Sequence, residues 1–477
     1  MAKETELKLL IRQADFKLLA AKMQQLKAKP LAVKRLENTY FDTPDLHLNK
    51  AKAALRLRFN AGNWVQTLKT SGTSLGALSE RGEWEMPVPE GKLNLALFPE
   101  DIINPQWQDQ LTAQFSTHFT RQTWLLKDTN TSPPAEIELA ADYGEVILPT
   151  KAGETQTADD VICELELELK QGQPASLFKL ANQLAENLVI HLGVLSKAER
   201  GLRLLKGADF IKRKNPPLIK QPEVNFTDLI QLAAQEINDW VLAHENWAFN
   251  ASEDELLQAH RALLRLHALL VLAQRLCSYA RLYPAIKAVK KLINHLLPWI
   301  KSCWQDKALQ KLELTGPDAE WRSLNMNYAL RRREYRRLWY KNWVGQASLQ
   351  LIEGLFANKS LQACTQQNKA DYLLQQAVAR LGLPQQPMQV DVWLDRYPSL
   401  VRVELLLQEV KPKATTNLQL IQQMQQAIEI LSGYQYLLSI KTLPEGIKEK
   451  ILVNQQGLLM HLGRLAQSLW VESSNNC

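Results

Sequence analysis

Charged side chains recur at every second residue through the first two hundred residues of this chain. Glu4, Glu6 and Lys8 open the series, and residues 163–169 (Cys-Glu-Leu-Glu-Leu-Glu-Leu) carry three carboxylates at the same spacing. In a β-strand, residues i, i+2 and i+4 lie on one face, so each segment predicts a strand with one charged and one apolar face. A strand whose charges are simply solvated would also fit one such segment. The repetition favours a shared site.

Several of these strands carry charges of one sign only. Residues 54–59 contain Arg56 and Arg58, and residues 64–69 follow after an Ala-Gly-Asn turn, which predicts a hairpin with both arginines and Lys69 on one side. Like charges along a strand repel each other unless an opposite charge lies between them. A closed or nearly closed barrel, with acidic and basic strands lining one lumen, meets that need. The alternative is an open sheet whose charged faces pair across strands.

The candidate lumen residues describe a polyanionic ligand with a hard cation beside it. The candidate cations are Lys8, Arg56, Arg58, Lys69, Arg121, Lys197 and Arg200. The candidate anions are Glu4, Glu6, Asp142, Glu145, Glu164, Glu166 and Glu168. Arginine offers paired contacts to phosphate oxygens, and an acidic set without His or Cys favours Mg²⁺ or Mn²⁺ over zinc. The set predicts a metal-bound triphosphate or short polyphosphate, for whose hydrolysis water suffices as the nucleophile.

The chain resembles the CYTH, or triphosphate tunnel, superfamily, whose N-terminal signature Glu-x-Glu-x-Lys stands here as Glu4, Glu6 and Lys8. The supporting segments follow in the family's order across residues 1–205: 38–45 (Asn-Thr-Tyr-Phe-Asp-Thr-Pro-Asp), 55–58, the Lys69 strand, 119–121, 136–145, 163–169 and 195–201. The resemblance implies an eight-stranded antiparallel barrel with helices packed outside it. It also implies one or two divalent ions, held by Glu4, Glu6, Asp142, Glu166 and Glu168, with Glu164 as a further acid.

Family members hydrolyse inorganic triphosphate, thiamine triphosphate or RNA 5′-triphosphate ends, and one branch cyclises ATP. The likeness is greatest to the bacterial inorganic triphosphatases, which implies hydrolysis of inorganic triphosphate to pyrophosphate and phosphate. The implied catalytic and substrate-binding cations are Lys8, Arg56, Arg58, Lys69 and Arg121, with Lys197 and Arg200 as further substrate contacts. The alternatives are a non-catalytic sensor of triphosphate or polyphosphate, a thiamine triphosphatase and a class IV adenylate cyclase.

A length of 477 residues predicts more than one domain. Residues 206–226 contain Pro216, Pro217 and Pro222 and predict a linker between a domain at 1–205 and another at 227–477. Beyond the linker the apolar period changes from two to about 3.6, which predicts an all-α helical bundle. The expected architecture is therefore multidomain α+β, a barrel followed by helices. The predicted helices include one that starts after Ser252, another that bends or ends at Pro298, and others at 318–344, 346–357, 368–382, 399–411, 415–440 and 444–470.

Basic residues cluster in two parts of the predicted helical domain. The candidates for polyanion contact are Arg261, Arg265, Arg332, Arg333, Arg336 and Arg337. By position and helical character this region resembles the CHAD domain, whose fold is two four-helix units around a basic groove and some of whose members bind polyphosphate. The alternative is a solvated helix face with arginine stems over aromatic rings. The formal net charge of +7 would also suit RNA, but no RRM or KH signature is present, so no specific nucleic-acid partner is predicted.

The remaining features bear on the cellular compartment. The five cysteines form no Cys-x-x-Cys pair, so neither a zinc site nor a disulfide framework is expected. The first residues lack the apolar core of a signal peptide, and no run of eighteen apolar residues is present. A cytoplasmic protein without a membrane partner is predicted.

Overall fold

The computed structural model describes residues 2–60, 62–70, 72–75, 77–100, 102–149, 160–211, 223–325, 340–358, 368–383, 389–411 and 414–475. Contacts divide the chain into two compact units. The barrel unit comprises Met1–Lys214, His244–Asn250 and Tyr340–Glu353, and the helical unit comprises Asn215–Ala243, Ala251–Trp339 and Gly354–Cys477. The domain limits drawn from the sequence stay a prediction.

One antiparallel sheet organises the barrel unit. Its strands are β1 (Ala2–Ile11), β2 (Lys29–Asp42), β3 (Ala53–Asn60), β4 (Asn63–Thr70), β5 (Thr73–Leu75), β6 (Leu78–Val88), β7 (Thr112–Asp128), β8 (Ala135–Ile147), β9 (Asp160–Gln171) and β10 (Ile190–Leu192). The order is β10-β1-β9-β8-β7-β2-β3-β4-β6-β5, and β1 also pairs with β6. That extra pairing closes eight strands into a barrel and confirms the predicted fold, including the β3–β4 hairpin.

The apolar residues of the barrel strands lie on its outer side. Leu55 on β3 alternates with the inward Arg56 and packs in a buried cluster that includes Leu48, Leu95 and Phe98. This arrangement inverts the usual one, in which a small barrel fills its interior with apolar side chains. The hydrophobic core therefore forms between the sheet and the segments outside it, and the lumen is left to polar groups.

Short helices surround the barrel strands. They are α1 (Phe16–Gln25), α2 (His47–Lys50), α3 (Ala175–Ala185), α4 (Lys197–Lys206) and α5 (Ala208–Ile211). Helix α4 contacts β7, β8 and β9 and begins with a capping box. In this box Ser196 accepts a hydrogen bond from the backbone of Glu199, whose side chain accepts one from the Ser196 backbone in return. The cap fixes where Lys197, the first helical residue, leaves the backbone.

The rest of the described chain is almost entirely helical, as predicted. Its helices are α6 (Phe226–Asn250), α7 (Glu253–Leu276), α8 (Tyr283–Lys311), α9 (Pro317–Asn325), α10 (Asn342–Asn358), α11 (Ala370–Ala379), α12 (Val390–Leu394), α13 (Tyr397–Val410), α14 (Thr415–Leu438) and α15 (Glu445–Asn475). A small sheet pairs β11 (Glu223–Val224) with β12 (Asn368–Lys369). Pro298 does not end a helix, because α8 continues through it to Lys311. Of the helix predicted at 318–344, residues 318–325 lie in α9 and residues 342–344 lie in α10, while 326–339 lie outside the described residues.

Two further expectations concern the linker and the membrane. Within the predicted linker, residues 208–211 form α5 and residues 223–224 form β11, while 212–222 lie outside the described residues. One described helix, Glu253–Leu276, is long and apolar enough to cross a membrane by length and composition alone. Since 67% of its most apolar window is buried inside the protein, it also fits the core helix of a globular unit. It is a weak indication of a membrane span.

Candidate active site in the barrel lumen

A cavity of about 330 Å³ lies inside the barrel. Every one of the eight barrel strands contributes at least one side chain to its wall. Its lining contains eight basic side chains (Lys8, Arg56, Arg58, Lys69, Arg81, Arg121, Lys170 and Lys197) and seven acidic ones (Glu4, Glu6, Glu83, Glu85, Glu138, Glu166 and Glu168). Because the two counts are so close, a highly charged anion entering this cavity would need cations in addition to those of the wall.

Strand register places opposite charges next to each other around the lumen. Glu4 on β1 is the register partner of Arg81 on β6, and Lys8 on β1 is the partner of Glu166 on β9. In other places it sets like charges side by side. Asp142 on β8 is opposite Glu164 on β9, and both side chains are fully buried. Directly opposed like charges are destabilising, so such a pair needs a cation from elsewhere.

Lys197 supplies that cation from outside the barrel strands. Its ammonium nitrogen lies 2.7 Å from Oδ2 of Asp142 and 3.0 Å from Oε1 of Glu166, and it also donates to Glu164. Arg121 completes the arrangement with two 2.7 Å hydrogen bonds to Asp142 and one of 2.6 Å to Glu166. Each of the three carboxylates is therefore in contact with at least one basic side chain.

The ionisation of this cluster follows from those contacts. Burial disfavours the charged form of Glu166, but Lys197, Arg121 and Lys8 outweigh it and hold its pKa well below the usual range. Burial likewise opposes ionisation of Glu164, and Lys197 and Lys8 again lower its pKa. These carboxylates are thus anionic at neutral pH. By contrast, burial raises the pKa of Glu168, although Lys170 donates a hydrogen bond to it.

A second charged group lies where β1 meets β6. Lys69 bridges Glu4 and Glu83, with its ammonium nitrogen 3.1 Å from each carboxylate. Arg81 donates to Glu6 and lies 3.9 Å from Glu4. The first two acids of the predicted signature are therefore both held by cations of neighbouring strands.

Arg58 is different from the other basic residues of the lumen. Its Nε donates a 2.6 Å hydrogen bond to Oδ1 of the buried Asn38, whose amide in turn donates to Thr117. No carboxylate of the described residues lies within 4 Å of its guanidinium group. Burial, together with the nearby Arg56 and Arg121, lowers the pKa of Arg58 to about 10. A half-buried guanidinium among other cations is a site at which an anion would be favoured.

The structure brings most of the predicted site residues together. The predicted residues that line the cavity are Glu4, Glu6, Lys8, Arg56, Arg58, Lys69, Arg121, Glu166, Glu168 and Lys197. Asp142 and Glu164 do not line it but contact Lys197 directly. Arg200 does not line it either, because its guanidinium faces Asp160 at 3.4 Å and Glu245 at 3.5 Å. Glu145 is also absent from the lining.

Several lining residues were not predicted as site residues. They are Arg81, Glu83, Glu85, Glu138 and Lys170. The signal that would have found them is the same two-residue spacing: Arg81, Glu83 and Glu85 alternate along β6, and Lys170 continues the series of β9 acids. Asn38, which holds Arg58, gives no such signal because a single amide carries no charge pattern.

Two of the basic residues predicted in the helical unit, Arg261 and Arg265, have internal partners. Arg261 donates to Glu429 at 2.5 Å, and Arg265 donates to Glu236 at 2.8 Å. Their guanidinium groups are therefore committed to carboxylates that are almost completely buried. Arg332, Arg333, Arg336 and Arg337 lie outside the described residues.

The donor set of the lumen fits a hard metal ion. Carboxylate oxygens of Asp142, Glu164 and Glu166 lie within 4.8 Å of one another, so these three side chains could hold one ion. All the donors are oxygens, which suits Mg²⁺ or Mn²⁺. Glu164 also has one carboxylate oxygen, Oε2, without a hydrogen-bond partner among the described residues.

The chain is similar to a curated protein and to solved structures. An inorganic triphosphatase from Haemophilus influenzae is 34% identical over 174 residues, which cover 35% of this chain and 46% of the relative. The chain thus spans a little under half the length of that curated relative. A candidate adenylyl cyclase from Hippeastrum, described as having a dominant triphosphatase activity, is 19% identical and covers 41% of this chain and 92% of its own, with a TM-score of 0.31. A candidate adenylate cyclase from Bacillus halodurans is 20% identical and covers 42% of this chain and 98% of its own, with a TM-score of 0.26.

Structural likenesses with TM-scores this low add nothing to the assignment of the fold. The family model described as the CYTH domain matches residues 2–202, which is the span of the closed barrel and most of α4. The signature acids Glu4 and Glu6 lie within that span and face the lumen. Residues 2–202 of this chain are a CYTH domain.

Proposed function

We propose that this protein hydrolyses inorganic triphosphate to pyrophosphate and phosphate in a reaction that requires Mg²⁺ or Mn²⁺. The observation that carries the proposal is the convergence of charged side chains from separate strands on one cavity inside a closed barrel. The similarity to an inorganic triphosphatase supports the same reaction class. A cavity with this many basic groups favours a phosphate chain, and its carboxylates would be out of place in a simple anion binder.

The composition of the wall supports an inorganic substrate over a nucleotide. Among the described lining residues, Tyr40 is the only aromatic one, and its side chain is mostly buried. A nucleotide site usually offers apolar or aromatic surface to the base, alongside its polar contacts. The lumen offers charged groups instead. Inorganic triphosphate is therefore the favoured substrate, and adenylate cyclisation is disfavoured.

The basic residues of the wall would hold the phosphate chain and stabilise the charge that develops on it. Arg58 has hydrogen-bonding capacity that no described carboxylate uses, and Arg56 lies at 3.7 and 3.9 Å from its nearest carboxylates, so both are placed to donate to phosphate oxygens. Lys8, Lys69 and Arg121 would exchange part of their carboxylate contacts for phosphate contacts. Phosphoryl transfer depends mainly on such positioning and charge stabilisation.

Hydrolysis requires no covalent intermediate with the protein. The oxygen of a water molecule forms a bond to a terminal phosphorus, the bond from that phosphorus to the bridging oxygen breaks, and pyrophosphate leaves. The proton of the water passes to a basic group in the lumen. Glu4, Glu6, Asp142, Glu164, Glu166 and Glu168 are the residues that would hold a divalent ion. Such an ion, when bound, neutralises charge on the phosphate oxygens and lowers the pKa of bound water.

Polyphosphate binding by the helical unit remains a secondary proposal. Arg261 and Arg265 are already paired with buried glutamates. The proposal therefore depends on Arg332, Arg333, Arg336 and Arg337, and no described contact supports it.

The test is phosphate release from inorganic triphosphate, thiamine triphosphate, ATP and long polyphosphate, each with Mg²⁺, with Mn²⁺ and with chelator. We expect the fastest release from inorganic triphosphate and a loss of release with chelator. Formation of cyclic AMP from ATP would instead identify a cyclase, and faster release from thiamine triphosphate would identify that substrate. Tight binding of triphosphate without any turnover would identify a sensor.

A further inference from the structure

Lys197 occupies the position that a cation would take among Asp142, Glu164 and Glu166. It contacts all three carboxylates, and its side chain is only 5% exposed. Asp142 and Glu164 are register partners on β8 and β9, so without a cation between them their like charges would repel. A lysine from helix α4 thus does for the acidic cluster what a bound ion would do.

We propose that Lys197 is the resident cation of this cluster, and that a divalent metal ion enters it only by displacing the Lys197 ammonium group toward the phosphates in the lumen. The inference rests on the proposed function and deepens it, because it links metal binding to substrate binding. Lys197 lines the cavity as well as touching the cluster, so its flexible four-carbon stem can serve both positions.

Charge and space both argue against simultaneous occupancy. The three carboxylates already face three cationic side chains, Lys197, Arg121 and Lys8. Their ligand oxygens lie within 4.8 Å of one another, so a metal ion at about 2.0–2.6 Å from them would stand within a few ångström of the ammonium nitrogen. Two cations that close repel strongly at the low effective dielectric of a buried site.

The partner atoms of an incoming ion are present as well. Oε2 of Glu164 has no hydrogen-bond partner among the described residues, although the side chain is fully buried. The Nε of Arg200 lies 4.0 Å from this oxygen, beyond hydrogen-bonding distance, so a metal ligand role would satisfy it. Lys197 reaches the other oxygen of the same carboxylate, Oε1.

A coupled order of events follows. Without triphosphate, the displaced ammonium would have no anion to receive it, so metal binding is weak. With triphosphate in the lumen, the ammonium moves to the phosphates and the cluster is released to the metal. By linkage, metal must then strengthen triphosphate binding by the same factor.

The test measures Mn²⁺ binding to the full-length protein by calorimetry and by the electron paramagnetic resonance signal of free Mn²⁺, without triphosphate. We expect Lys197→Met to bind Mn²⁺ at least about tenfold more tightly than the wild type, because a competing charge a few ångström away has been removed. Lys22→Met is the matched control. Lys22 also pairs with a carboxylate of the barrel unit, Glu186, at 3.1 Å, but neither residue lines the cavity or contacts the cluster, so its removal should leave this affinity within about twofold.

Two further variants keep the test decisive. Lys197→Gln retains hydrogen-bond donors and should also bind Mn²⁺ more tightly than the wild type. It takes the place of Lys197→Met if the methionine variant does not fold. Glu164→Gln combined with Lys197→Gln should abolish the gain. Unchanged or weaker Mn²⁺ binding in the folded Lys197 variants would overturn the inference. In that case the wild type could still release phosphate from triphosphate, so failure of this inference is distinguishable from failure of the proposed function.

Discussion

The lumen of the barrel unit and the interior of the helical unit both bury arginine beside glutamate, yet the two sets differ in what surrounds them. In the helical unit, Glu429 accepts from Arg261, Lys307 and the Tyr397 hydroxyl and is 1% exposed. These three donors lie on other helices and stabilise the negative charge of Glu429. Both cations of this group, Arg261 and Lys307, already contact a carboxylate.

The lumen contains a cation that has no carboxylate partner among the described residues, and an open cavity lies beside it. Arg58 is held by an amide, and a cavity lies next to it. A basic residue in a sequence therefore indicates anion binding only when the fold leaves its hydrogen-bond donors without a carboxylate partner. Buried ion pairs that are complete contribute little net stability and serve mainly as structure, whereas an incomplete network beside a cavity is typical of a functional site.

The Arg58→Met substitution tests this difference between the two units most directly. We expect triphosphatase kcat/KM to fall by about 10²–10³-fold, since a donor aimed at developing charge is lost. The free energy of unfolding should change by no more than about 1 kcal/mol, because losing the Asn38 hydrogen bond is offset by relief of repulsion from Arg56 and Arg121. Steady-state kinetics and urea unfolding measure the two effects. An activity within fivefold of the wild type would remove Arg58 from the site.

Arg261→Met in the helical unit should show the reverse pattern. Removing this guanidinium leaves Glu429 buried with only Lys307 and Tyr397, and breaking a buried pair on one side costs about 3 kcal/mol. Urea unfolding would measure that loss, and kcat for triphosphate should stay within about twofold. The double variant Arg261→Met, Glu429→Gln is the control, because it removes both charges and should recover part of the stability. A double variant no more stable than Arg261→Met would contradict the reading of this pair as structural.

The sequence identified the barrel and most of its lumen because strand geometry converts a two-residue spacing directly into a shared face. Glu4, Glu6 and Lys8 needed no other information. Arg200 shows the limit of that approach. It lies three residues after Lys197 on the same helix, and the sequence could not separate the two, yet only Lys197 reaches the lumen while Arg200 packs against Asp160.

Long-range pairing was the other limit. Arg261 and its partner Glu429 are separated by 168 residues, and Arg265 and Glu236 by 29. A stripe of arginines on a helix looks the same in sequence whether it faces solvent or a buried glutamate. Burial of the partner, which decides between polyanion binding and internal pairing, is a property of the packed helices and has no local signature.

His260 extends the comparison to a buried group that should carry no charge. Its ring lies in the interior of the helical unit, with its centroid 6.4 Å from that of Tyr397 and 6.0 Å from that of Trp304. Burial lowers the pKa of His260 to about 4, with Arg261 adding to the effect and Glu429 opposing it. Between about pH 6.5 and pH 4 the unfolded chain therefore binds a proton that the folded protein does not, so stability falls as the pH drops below about 6.5.

By linkage, this one residue should cost about 2 kcal/mol of unfolding free energy between about pH 7 and pH 5. His260→Phe keeps an aromatic ring and removes the titration, so the variant should lose about 2 kcal/mol less than the wild type over the same interval. Urea unfolding at a series of pH values measures the difference between the two slopes, in which the other titrating groups cancel. Parallel slopes would mean that His260 is hydrated or charged in the folded protein. The interior of the helical unit would then resemble the lumen more closely than its complete ion pairs suggest.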